Sequence, residues 1–330
     1  MTSVPLKPRQ GSGSKPAARR GGRKKLTFDK ISFFLVFLGL PLVIYLIFVV
    51  SPFLQAIYYS LTSWSGFNDV FTFIGLDNYV RVFQDDIFMK ALTNNVILAI
   101  VVPIVTIVIA LVFSTMVTIG GPSRGQIRGI RGSSFYRVVS FFPYVIPAIA
   151  IGLIWAQVYA PNGGLLNGIV GLFGGPGSTN WLGDENLALG ASIFVIVWGL
   201  VGFYMVLFIA AIKGVPAEIY EAARIDGAGR FRTAISITIP LIRDNVQTSY
   251  IYMGILALDA FVYMAALNPG GGPNNATWVM AQQLFEVAFK KGNFGLACAM
   301  AVIAALLTLC FAGLVFLVNK LTGGSKDTSY

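Results

Sequence analysis

The chain has 330 residues, 56% of them apolar and 12% charged, and its 24 Lys and Arg outnumber its 14 Asp and Glu for a net charge of +10. Soluble domains carry about 25% charged residues, so this chain lacks the polar surface of a water-soluble globule and reads as one solvated largely by lipid. Histidine is absent, which excludes His-dependent acid/base catalysis, Ser-His-Asp or Cys-His nucleophiles and His-ligated metals. Neither a catalytic nor a metal site is expected.

Residues 1–30, rich in Gly, Ser, Pro, Lys and Arg, lack the apolar content to fold and read as a disordered basic tail. Arg19-Arg20 suggests a twin-arginine signal, but the following apolar segment is too long for a signal sequence and no small-residue cleavage site closes it. An uncleaved first span is expected. Six intervals nearly free of charge follow, each able to supply the ~20 apolar residues that cross a bilayer. They place spans at Ile31 to Tyr58, Asn95 to Ile119, Tyr136 to Tyr159, Leu189 to Lys213, Asn245 to Leu267 and Phe294 to Asn319. Between spans three and four, LLNGIVGLFGGPGSTNW is broken by Gly174 to Gly177 and reads as a loop with a short interfacial helix. Cys298 and Cys310, both inside span six, sit about 18 Å apart along a helix, too far for a disulfide.

Sorting the cations by loop gives the orientation. Twenty of the 24 fall in the N-terminal tail, in or beside the loops after spans two and four, or at the C-terminus, where Lys320 precedes and Lys326 lies in the tail of residues 321–330; four fall opposite. The positive-inside rule then places both termini in the cytoplasm. The same rule explains the basic tail as an orientation signal and a contact for anionic lipid, with no nucleic acid as partner.

The cytoplasmic loop GVPAEIYEAARIDGAGRFRTAISITIPLI, after span four, reads as two surface helices. Pro216 suits a first helical turn, Glu218 and Glu221 favour its positive end, and Gly227 and Gly229 stop or bend it; a second helix runs towards Pro240. Glu221-Ala222-Ala223, three residues, Gly227, nine residues, then Ile237-Thr238-Ile239-Pro240 resembles the EAA motif of binding-protein-dependent ABC importer permeases. Ile239 departs from the usual Leu. FIGLDNYVRVFQDDIF, from Phe73, and GGGPNNAT, from Gly270, resemble the carbohydrate-uptake branch in particular. The resemblance covers residues 31–320 and implies an all-α permease domain of six transmembrane helices with a cytoplasmic coupling helix. It also implies that Glu218, Glu221, Ala222, Ala223, Asp226, Gly227 and Pro240 serve contact with a separate ATPase subunit. The partners it implies are ATPase subunits, a second and different permease, and an extracytoplasmic solute-binding protein. ATP and Mg would be used by the ATPase and no cofactor bound by this chain, which has no Gly-Lys dipeptide and hence no P-loop.

Asp259 is the one charge inside a span. An intramembrane carboxylate costs roughly 2.5–3.5 kcal/mol on insertion scales and usually faces a cavity. It serves either a solute pathway or a hydrogen bond to a neighbouring helix. Tyr263, four residues on, would share its helix face and either stack on a sugar or belong to an interfacial aromatic belt. Pro143 and Pro147 in span three fit a kink beside a path or simple helix packing. The function expected is sugar import through a permease of the inner membrane. The alternative is a secondary transporter of a small polar solute working without an ATPase.

Overall fold

The computed structural model describes residues 32–68, 71–119, 130 and 132–321. The expected N-terminal tail, the C-terminal tail beyond Leu321, and Arg124, Arg128 and Arg131 of the loop after span two lie outside the described residues. The chain divides into two compact units, Met1–Phe53 and Leu54–Tyr330.

The first helix, α1, is Ser32–Tyr59. It is widened to π-helix at Leu35–Gly39 and Leu46–Val50, two residues before Pro41 and Pro52. The cause is the missing N–H and the ring of each proline, which cannot accept a regular α-turn; a preceding i→i+5 turn absorbs the misfit. Ala234–Thr238 repeats the arrangement before Pro240.

In the second unit the chain leaves α1 through a short antiparallel contact, Thr62 with Phe73, closed by the buried Asn78 amide, which donates to the carbonyls of Ser60 (2.9 Å) and Thr62 (2.8 Å). After α2 (Asp77–Phe83) come α3 (Asp86–Ile119), α4 (Ser133–Val145), α5 (Ala148–Val158), α6 (Leu165–Leu172) and α7 (Glu185–Gly214). Then follow α8 (Ala217–Ile225), α9 (230–241), α10 (Arg243–Leu258), α11 (Phe261–Leu267), α12 (280–290) and α13 (Phe294–Leu321). The short α6 falls where a short helix is expected between spans three and four.

Among the described residues, four helices are long and apolar enough to span a membrane: α1, α3, α7 and α13. The other two passes are each a bent pair, α4 with α5 at 99° and α10 with α11 at 50°. In the first pair the break falls at Ile146 and Pro147, both extended (ψ 133° and 137°), because a residue before proline is pushed out of the helical region. Pro143 stays inside α4, buried, so only the second proline of the pair breaks the span.

The largest apolar core joins α3, α7 and α10, with Leu98, Tyr204, Phe208 and Met253 at most 2% exposed. Association in lipid relies on close backbone approach. Gly202 of α7 provides one instance: a Cβ there would overlap the Ser140 carbonyl of α4.

Candidate functional site

Two regions concentrate the polar sequence. The first links α7 to α10. Val215 and Pro216 are extended (ψ 130° and 134°), so the chain turns away from α7 before α8 begins, with Glu218 in its first turn. The far end of α8 is closed by Gly227 at φ 74°, with the Ala228 N–H donating to Ala223 (2.9 Å) and the Gly227 N–H to Arg224 (3.0 Å). This is a Schellman stop, whose left-handed residue favours glycine.

One face of α8 points inward. Tyr220 is buried and joins the core shared by α3, α7 and α10, and burial pushes its phenol above the ordinary range, with the Thr238 hydroxyl acting in the opposite direction. Glu218, Glu221, Ala222 and Asp226 are all exposed, as is Gly227 at the stop. Ile225 and Phe231 add apolar exposure, 86% and 79%. Two of the expected site residues stand apart from this face. Ala223 is turned inward, 5% exposed. Pro240 lies near the far end of α9.

The second region is the break between α10 and α11. Asp259 caps α10 with non-helical angles (φ −107°, ψ 46°), and the helix restarts at Phe261. The expectation that Asp259 and Tyr263 share a helix face fails here, because the i, i+4 relation needs a continuous helix. Tyr263 instead reaches α7, its hydroxyl 3.0 Å from where a Cβ on Gly199 would stand. Neither Pro nor Gly marks this break. It is held from another span: the Asn95 side chain of α3, fully buried, donates to the Leu258 carbonyl (2.6 Å) and accepts from the Met280 N–H (2.8 Å).

Asp259 is exposed. Along α10 the exposed positions are Asp244, Asn245, Thr248, Tyr252, Ile255, Leu256 and Asp259, a stripe at helical spacing that is mostly polar. Polar groups on a span that face away from the chain's own core belong against water or another protein, since lipid would leave them unsolvated.

At the same end as the break, the 268–279 segment is fastened to α3 and α7. Asn94 donates to the carbonyls of Ala276 (3.0 Å) and Trp278 (2.9 Å), Lys90 to that of Asn274 (2.8 Å), and the Asn274 amide to Glu185 (3.1 Å). Lys90 and Glu185 are also an ion pair at 3.3 Å. Sequence reasoning left out Lys90, Asn94, Asn95 and Glu185; the adjacent amides Asn94-Asn95 at the start of an apolar run were the signal available.

Residues 116–323 match the family of binding-protein-dependent transport system inner membrane components. The chain belongs to that family. It is 61% identical over 318 residues to the diacetylchitobiose uptake system permease protein NgcF of Streptomyces coelicolor, covering 95% of this chain and 90% of the relative. The multiple sugar-binding transport system permease protein MsmF of Streptococcus mutans is 34% identical over 270 residues, 81% of this chain and 88% of that one. A solved bacterial ABC transporter involved in alginate import shares the fold at TM-score 0.74 and 20% identity, over 89% of this chain and 98% of that chain. The permease therefore carries its exposed α8 face and its broken, polar-striped α10 on a membrane transport scaffold.

Proposed function

We propose that the permease is one of two different membrane subunits of an ATP-driven importer whose cargo is an N-acetylated disaccharide or a related oligosaccharide. The observation that carries the cargo class is the 61% identity to a diacetylchitobiose permease over 95% of this chain. The orientation follows from the cations: with 20 of 24 on the α8 end or in the tails that share its side, that end faces the cytoplasm and so do both termini. Cytoplasmic α8 then seats against an ATPase subunit, with Glu218, Glu221 and Asp226 offering charge-assisted contacts and Ile225 and Phe231 the apolar area. Gly227 shapes the turn and Ala223 supports it from within, while Pro240, itself exposed, shapes α9.

In this reading a binding protein delivers solute to the outer end, where the 268–279 segment is fastened. The ATPase pair binds ATP with Mg and closes. Tyr220 lies in the same core as α3, α7 and α10, so displacement of α8 is transmitted to the spans that flank Asp259. Asp259 accepts hydrogen bonds from sugar hydroxyls, with Tyr263 bordering the path beyond the break. A secondary transporter is disfavoured by the absence of a relay: inside the six spans as bounded by the sequence, Asp259 is the one acid. The test is uptake by the purified complex in proteoliposomes, with ATP inside, against a panel of disaccharides presented by the binding protein. Diacetylchitobiose uptake that needs ATP is expected; sugar uptake driven by an ion gradient without ATP overturns the reading.

A further inference from the structure

A groove of about 680 Å³ opens between α3 and α9. Val108, Val112 and Met116 form its α3 wall, each about half exposed, and Ile235 and Ile239 of α9 also line it. From Val108 to Met116 the wall runs ~12 Å along the axis of α3, in the last third of that helix. Among the described residues that line it, only Thr115 and Arg230 are polar. The Thr115 hydroxyl is turned back on its own helix, to the carbonyls of Leu111 (2.7 Å) and Val112 (3.0 Å). Water in the groove would find too few polar partners to be held there.

The two ends of an anionic phospholipid match what remains. Its acyl chain suits a long apolar wall, and its phosphate suits Arg230, whose planar guanidinium carries five donors. Arg230 is also the first residue of α9, and no side chain caps that end, so the positive end of the helix adds to the guanidinium charge. We propose that the groove binds an anionic phospholipid, with an acyl chain along α3 and the phosphate held by Arg230 and the first turn of α9. Basic pockets between spans on the cytoplasmic side take such headgroups, and the excess of cations on this side supplies the matching field. Bound there, the lipid fixes α9, and with it the far side of the Gly227 turn, against the membrane surface. Its place in the inner leaflet rests on the orientation proposed above.

The test uses the purified complex in mixed micelles with phosphatidylglycerol or phosphatidylcholine carrying a photoreactive acyl chain, and maps crosslinked peptides. Wild type is compared with Arg230→Gln, Arg230→Lys and Arg232→Gln; Arg232 is exposed on the same helix but does not line the groove. Phosphatidylglycerol is expected to label 108–116 and 230–239 about fivefold more than phosphatidylcholine, the scale of one arginine at an anionic surface. That preference should vanish in Arg230→Gln and persist in Arg230→Lys and Arg232→Gln. Equal labelling by both lipids in wild type, or an equal loss in Arg232→Gln, overturns the site and leaves a diffuse charge layer. No labelling by either lipid also overturns it and means that protein covers the groove: α1, the loop after α3 or another subunit. A micelle has no sides, so these results are independent of the orientation. Labelling of Arg232→Cys from outside whole cells would overturn the orientation alone and move the lipid to the outer leaflet.

Discussion

The Asn95 side-chain amide of α3 donates to the carbonyl of Leu258, the last helical residue before Asp259, at 2.6 Å. Its other end accepts from the Met280 N–H at 2.8 Å, at the start of α12. One buried side chain thus satisfies two backbone groups that helix ends leave open, and it joins the break in span five to the segment that follows span five. Asn95→Leu is predicted to leave both groups unmet, at about 1–3 kcal/mol each. The expected outcome is a lower Tm of the purified complex and faster proteolysis within 268–279. An unaltered Tm and digestion pattern would show that the break is held by other means.

Asp259 sits where α10 ends, and a carboxylate there also faces the negative end of the helix dipole. Such an unfavourable placement favours a role for the charge outside the chain's own packing. Asp259→Asn keeps the shape and removes the charge. Uptake is predicted to fall about tenfold or more, on the scale of a charge-assisted hydrogen bond worth about 1.5–3 kcal/mol, while the amount of assembled complex stays constant. Equal affinity and rate would remove Asp259 from the path.

Much of this molecule is legible in its sequence because a lipid solvent leaves few choices. Runs without charge must be helical spans, and the EAA spacing marks α8 together with its Gly227 stop. The two broken spans differ in this respect. Pro147 announces the break after Ile146 through its ring, whereas the break at Asp259 depends on Asn95, 164 positions earlier. A tertiary hydrogen bond of that reach has no local signal. The inward turn of Ala223 is hidden for a related reason: the motif gives residue types at fixed spacing, and only the packing of Tyr220 against the core decides which face is left open.

The exposed α8 face makes Glu221 a direct test of coupling. Replacing it with Arg reverses a surface charge without touching the Tyr220 and Ala223 side, so the fold should survive. Co-purification of the ATPase is predicted to drop and ATP-driven uptake to fall with it, by tenfold or more at low salt. Intact association and uptake would mean that α8 is not the docking helix.

Gly227 isolates backbone geometry from contact. At φ 74° a side chain is strained, yet no atom lies within 4 Å of where a Cβ would stand. Gly227→Ala therefore adds no clash with the permease itself, only about 1–2 kcal/mol of left-handed strain. That strain loosens the Schellman stop, so the Ala228 N–H to Ala223 bond should exchange its proton faster with solvent. Hydrogen exchange over 217–229 in the purified complex is expected to rise, and ATP hydrolysis to become less tightly coupled to uptake. Gly202→Ala provides the contrast, because its Cβ would overlap the Ser140 backbone and force α4 and α7 apart. It is predicted to lower the Tm of the complex, with the added cost of about 1–3 kcal/mol typical of overpacking, and to leave exchange in α8 unchanged. Increased exchange in α8 from Gly202→Ala would mean that the α4–α7 contact also governs α8.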